Sequence, residues 1–207
     1  PGEHVHAIAV RGTFDDCQDL VKAMFADTGF RDRVSLSAVN SINWVRIIAQ
    51  TVYYVVTALR LGAPDRSVGF SVPTGNFGNI YAAFVARNLG VPIEKLIIGT
   101  NRNDILARYF EAGEMRLSGV EPSLSPSMDI QVSSNFERLL FEMLDRDGAR
   151  VADIMTGFRR DGAFTTDPDR LARITSLFHA YRASDELTTK TIQEVYQTTG
   201  QVIDPHT

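Results

Sequence analysis

One stretch constrains this chain more than any other. Val68-Gly69-Phe70-Ser71-Val72 is a β-branched and aromatic run that predicts a buried strand. Ile80-Tyr81-Ala82-Ala83-Phe84-Val85-Ala86-Arg87-Asn88-Leu89 predicts a helix closed by Gly90. Between them lies Pro73-Thr74-Gly75-Asn76-Phe77-Gly78-Asn79. A glycine-bearing loop that enters a helix leaves backbone N–H groups without helical partners, and the helix dipole adds partial positive charge there. Such donors can hold an anion. Gly75 and Gly78 are expected to remove Cβ atoms that would keep a phosphate off the backbone, and Asn76 and Asn79 add neutral donors. The pattern is neither G-x-G-x-x-G nor a triphosphate loop ending in G-K-[ST]. By spacing alone it is either a phosphate site or a plain strand-to-helix turn.

Further segments follow in a fixed order. They are Asn40-Ser41-Ile42-Asn43-Trp44-Val45-Arg46, then the loop above, then Thr100-Asn101-Arg102-Asn103-Asp104. Later come Ser125-Pro126-Ser127-Met128-Asp129-Ile130 and Ser133-Ser134-Asn135-Phe136-Glu137-Arg138. Together, from near Gly12 to Thr207, the chain resembles threonine synthase of the bacterial and fungal kind, a pyridoxal 5′-phosphate (PLP) enzyme of the tryptophan-synthase-β fold. The resemblance implies that Thr74, Gly75, Asn76, Phe77, Gly78 and Asn79 hold the PLP phosphate. It also implies that Asn40 or Asn43 lines the cofactor pocket, Asn40 as a cofactor contact and Asn43 on the substrate side. Asn101, Asn103 and Asp104 are expected to border the substrate pocket. Each has a simpler alternative, since Asn40, Ser41 or Asn101 can serve only as helix caps. Ser133, Ser134, Asn135 and Arg138 are either a substrate-phosphate site or a capped, charged helix start.

The implied reaction converts O-phospho-L-homoserine and water to L-threonine and phosphate, with PLP as electron sink. It needs a lysine that forms a Schiff base with the cofactor. The three lysines, Lys22, Lys95 and Lys190, do not stand in the family's context. The family places that lysine before Pro1 and the partner of the pyridine nitrogen after Thr207. No catalytic residue is therefore expected within the chain, which reads as an internal segment relying on the rest of the same polypeptide. Two other readings stay open. One is a different enzyme of this PLP fold, a hydroxyamino-acid dehydratase or O-acetylserine sulfhydrylase. The other is a non-catalytic module binding a phosphate ligand.

The expected fold class is α/β, an open, mainly parallel sheet with flanking helices (PLP fold type II) and a helical lobe. Strands are expected over 4–10, 33–39, 68–72, 95–99 and 201–204. Helices are expected over 15–26, 42–61, 80–89, 101–112, 135–144, 150–159, 168–181 and 186–199. Strand–helix alternation implies parallel βαβ units whose strand ends share one edge. Residues 1–118 and 200–207 are assigned to an incomplete PLP-binding domain, and 119–199 to a junction loop and helical region. Pro122, Pro126 and nearby serines break periodicity there.

Net charge of −4 over 207 residues argues against a nucleic-acid partner. The single cysteine, Cys17, excludes an internal disulfide and fits a reducing, cytoplasmic setting. It falls on an expected core stripe with Leu20, Val21, Met24 and Phe25. His4 and His6 share a strand face but lack a third metal ligand nearby. The apolar helix over 42–61 is interrupted by Asn43, Arg46, Gln50 and Arg60, so burial against a sheet is expected rather than a membrane span.

Overall fold

The computed structural model describes residues 3–207. It divides into two compact units, residues 1–37 and 38–207. The first holds α1 (Phe14–Ala26) and α2 (Thr28–Arg33). Thr13 caps α1 in a reciprocal capping box with Asp16. The stripe read as core is not buried: Leu20 is exposed and Cys17, Val21, Met24 and Phe25 are half-buried.

Neither expected strand before residue 40 forms. Residues 5–10 have no regular structure. Over 33–39 the alternation of serine and apolar residues misleads, because the backbone donors are spent closing α2. The amides of Val34, Ser35 and Leu36 donate to Phe30, Asp32 and Arg31, and Ser35 sits at φ 51°. A segment whose donors turn back on a helix cannot join a ladder.

The second unit carries α3 (Trp44–Arg60), β1 (Val68–Pro73), α4 (Gly78–Asn88), β2 (Ile93–Thr100), α5 (Ile105–Ala112) and β3 (Glu114–Arg116). After a 3₁₀ turn, Pro126–Met128, come α6 (Phe136–Met143), α7 (Gly148–Asp161), β4 (Ala163–Thr165), α8 (Pro168–Thr175), β5 (Phe178–Arg182) and α9 (Asp185–Thr199). The main sheet has the order β1-β2-β5, parallel throughout, with Pro73 opposite Gly99 and Gly99 opposite Tyr181. A parallel sheet flanked by helices is the expected class.

β5 was expected to be the end of a helix running to Tyr181. The helix stops at Thr175, and the aromatic alternation of Phe178-His179-Ala180-Tyr181 continues as a strand beside β2. Residues 119–199 thus contribute a strand to the sheet itself. β3 and β4 form a small antiparallel pair, each directly after a helix ended by a left-handed glycine, Gly113 or Gly162. The strand expected over 201–204 is irregular chain, with the Gln201 amide donating to the Thr199 hydroxyl.

α3 differs from the expectation of burial against a sheet. Only Ile47, Thr51, Tyr54 and Ala58 are buried, a stripe spaced by three and four residues. α3 packs mainly on α4, and Tyr54 meets Phe70 of β1 edge-on at 4.9 Å. Val45, Val52, Tyr53 and Leu59 stay exposed. Among the described residues, no helix is long and apolar enough to cross a membrane.

Candidate functional site

β1 hands over to the loop at Thr74, whose amide still donates to Gly99 O at 2.7 Å, while its hydroxyl donates to Val72 O. The helix opens at Gly78, two residues earlier than the periodicity predicts. Phe77 stands at its N-cap position with φ 66° and ψ 0°. That left-handed geometry costs a non-glycine residue about 1 kcal/mol or more. Burial of the ring offsets it. Phe77 is fully buried, edge-on to Phe136 at 5.4 Å and tilted against Phe178 at 5.8 Å.

A distant segment grips the loop by its carbonyl oxygens. Ser133 Oγ donates to Gly75 O at 2.8 Å. Asn135 donates to Asn76 O twice, from its amide at 3.0 Å and from Nδ2 at 3.2 Å. Asn135 Nδ2 also reaches Ser41 Oγ at 3.0 Å, and Asn135 Oδ1 accepts from Arg138 Nε at 3.0 Å. Arg138 Nη2 donates to the carbonyls of Ser41 and Ile42. Of these four residues, read in sequence as a phosphate site or a helix start, Ser133 and Asn135 thus spend their donors on the chain itself, as Arg138 does at Nε and Nη2, while Ser134 accepts from Asn135 Nδ2.

Two of the loop's amides are also taken. Thr74 N serves Gly99, and Gly78 N donates to Asn76 Oδ1 at 2.9 Å. Among the described residues none accepts from the amides of Gly75, Asn76, Phe77 or Asn79. Four open donors at the start of an eleven-residue helix make a concavity suited to an anion. Asn79 Oδ1 accepts from the Tyr54 hydroxyl at 2.5 Å, which leaves its Nδ2 as a further donor. Burial pushes the Tyr54 phenol well above its ordinary value, so it remains a donor.

The glycines also make room for protein atoms. A Cβ on Gly75 would stand 3.1 Å from Ile130 Cδ1 and Met128 Cα. One on Gly78 would stand 3.2 Å from Asn76 Oδ1 and Ser41 Cβ, and 3.3 Å from Asn135 Nδ2. Gly75 makes room for Met128 and Ile130, and Gly78 for Ser41 and Asn135.

The other expected site residues divide. Asn43, not Asn40 or Ser41, caps α3, accepting from Val45 N at 3.0 Å, and it is exposed. Asn40 Oδ1 accepts from Ile42 N, which leaves its Nδ2 open among the described residues. Asn101 and Asn103 are buried in a self-contained network. Both donate through Nδ2 to Asp129 Oδ1, at 2.8 and 2.9 Å, and Asn103 Oδ1 accepts from Glu121 N. Asn101 caps no helix, because α5 begins only at Ile105; its Oδ1 accepts from Asn103 N instead. Asp104 is engaged by Arg108 Nε at 2.8 Å and Arg182 Nη1 at 2.7 Å.

A cavity of about 370 Å³ opens at the C-terminal ends of the three parallel strands, against Pro73, Thr100 and Ala183. Asn101 is in its wall; Asn40, Asn43, Asn103, Asp104 and residues 74–79 are not. Thr188, Thr191 and Ile192 of α9 and His206 complete it. Sequence reading passed over these four, because nothing local marks a helical threonine as a cavity wall. Among the described residues, no group of three or more His, Cys, Asp or Glu could hold a metal ion.

Comparison with known proteins fixes the relationship. The threonine synthase of Pseudomonas aeruginosa is 53% identical over 206 residues, which cover 100% of this chain and 44% of that protein. The crystal structure of PLP-bound threonine synthase from Brucella melitensis superposes with a TM-score of 0.88 at 55% identity, over 98% of this chain and 44% of that one. Over its whole length this chain is similar to threonine synthases. The yeast threonine synthase structure agrees, with a TM-score of 0.84 at 40% identity over 100% of this chain and 43% of its own. No family model matches. The chain spans a little under half the length of these threonine synthases.

Proposed function

We propose that this chain supplies the phosphate cradle of a PLP-dependent threonine synthase, acting on O-phospho-L-homoserine and water to give L-threonine and phosphate. The observation that carries this is the set of open amides at Gly75, Asn76, Phe77 and Asn79, in a chain so similar to a PLP-bound enzyme. The residues fit the group: a dianionic phosphate needs several convergent donors, and the loop offers backbone donors and no carboxylate. When bound, PLP supplies an electron sink for chemistry at the amino acid's carbon skeleton.

The chain's own residues bind and orient. Residues 74–79 receive the phosphate through amides 75, 76, 77 and 79, with Thr74 and Gly78 holding the loop's shape. Asn40 Nδ2 is a donor for the cofactor ring. Asn101 forms the wall of the strand-end cavity, with Asn103 and Asp104 behind it and Asn43 at the entry of α3. None of the lysines suits the catalytic role: Lys95 lies near the start of β2, at the far end from the loop, and Lys190 pairs with Glu194 at 3.6 Å on α9. Lys22 lies in α1. A lysine from another part of the polypeptide takes that role, and the enzyme works in the cytoplasm.

The test is phosphate release from O-phospho-L-homoserine by the full-length enzyme, beside activity on threonine and O-acetylserine. Turnover of O-phospho-L-homoserine alone supports the reading. Turnover of threonine or O-acetylserine in its place would assign a dehydratase or a sulfhydrylase. The relatives' threonine synthase character favours the first outcome. The 207-residue segment by itself is expected to lack the visible absorbance of lysine-bound PLP.

A further inference from the structure

We infer that Ser133 and Asn135 are positioning residues, which set the direction of the amides in the anion loop without touching the anion. The inference rests on the phosphate-cradle reading and adds how the cradle is held open.

A trans peptide unit is planar, and its C=O and N–H point in opposite directions. Fixing one end of the unit therefore aims the other. Ser133 Oγ fixes Gly75 O, which aims the Asn76 N–H away from the protein segment that does the fixing. Asn135 fixes Asn76 O with two donors, which aims the Phe77 N–H the same way. The two consecutive peptide planes thus turn their acceptors inward and their donors outward. Phe77 at φ 66° completes the reversal into the helix, and its ring packs on Phe136 of the same gripping segment.

Neither gripping residue is free to relax. Ser133 and Asn135 are both buried. Asn135 is itself held by Arg138 at Oδ1 and by Ser41 at Nδ2. Arg138 Nη2 donates to the carbonyls of Ser41 and Ile42, and its guanidinium lies 5.2 Å over the Trp44 ring. Donors that are already committed to carbonyls are poorly placed to bind a substrate phosphate directly. Without the grip, a loop with two glycines has other peptide orientations available, and a flipped 75–76 or 76–77 unit would present a carbonyl oxygen to the anion.

The experiment uses the full-length enzyme as apoprotein, and measures dissociation constants for PLP and for pyridoxal, which lacks the phosphate. Ser133→Ala and Asn135→Ala are expected to weaken PLP by about tenfold each, with pyridoxal changed less than about twofold. Ser133→Thr keeps the hydroxyl and is expected to bind PLP like the unmodified enzyme. A purely structural role would lower both ligands together or neither. Equal losses for PLP and pyridoxal, or unchanged PLP binding in Ser133→Ala, overturn the inference. If the unmodified enzyme shows no preference for PLP over pyridoxal, the cradle reading and the positioning role both fall. A preference that survives both substitutions removes the positioning role alone.

Discussion

The loop after β1 and the loop after β2 are built from the same materials. One runs Thr74-Gly75-Asn76-Phe77-Gly78-Asn79, the other Thr100-Asn101-Arg102-Asn103-Asp104. Both leave parallel strands at the same edge of the sheet, with Pro73 opposite Gly99. In the first, the carbonyls of Gly75 and Asn76 are occupied and four amides are open. In the second, the side-chain donors are consumed: Asp129 accepts from Asn101, Asn103 and Ser123. The difference lies in what faces each loop. Ser133 and Asn135 bring donors, so the loop's acceptors are used up. Asp129 brings a carboxylate, so the loop's donors are. An asparagine-rich strand end is a binding site or a structural clasp according to its neighbour. Here both neighbours come from one stretch, residues 123–138.

The comparison can be tested from both sides. Phe77→Ala should show the largest effect, a loss of about 3–5 kcal/mol in urea unfolding, because a buried ring goes while the left-handed backbone remains. A loss under about 1 kcal/mol would mean that the ring does not hold the loop. Gly78→Asp in the full-length enzyme should reduce PLP affinity by about a hundredfold, through the crowding of Asn76, Ser41 and Asn135 that its Cβ causes. Gly78→Ala should reproduce much of that loss if crowding is the cause, and little of it if charge repulsion is. Asp129→Ala should destabilise the fold by about 2 kcal/mol by orphaning buried asparagine donors. The ratio of PLP to pyridoxal affinity should not change, and a shift in that ratio would erase the distinction between the loops.

The smallest effect is expected at high pH. Burial pushes the Tyr109 phenol up to about 12 from an ordinary 10, against a hydrogen bond with Thr166 that lowers it. A folded-state value above the unfolded one means stability that is complete below about pH 10 and lost as pH rises toward 12. Tyr109→Phe should flatten that part of the stability–pH curve, measured by urea unfolding between pH 8 and 12. An unchanged slope would show that Tyr109 does not contribute.

Much of this was legible in local sequence. The strand–loop–helix around residue 75 is a short-range signal, and the structure carries it. One failure turned on the helix just before the segment, the other on a strand far along the chain. Residues 33–39 alternate like a strand but spend their amides on α2. Phe178-His179-Ala180-Tyr181 reads equally well as helix end or strand until β2 lies beside it.

By itself, the sequence determined which strand ends carry donors and acceptors, because residue type and short-range backbone preference are local. It also carried the likeness to threonine synthases, through ordered motifs spread along the whole chain. Tertiary structure decided which of those groups remain open. Hydrogen bonds from Ser133 to Gly75 and from Asn135 to Asn76 join residues nearly sixty positions apart, and no local rule registers such a pairing. A donor's availability is set by whether some other part of the chain reaches it first.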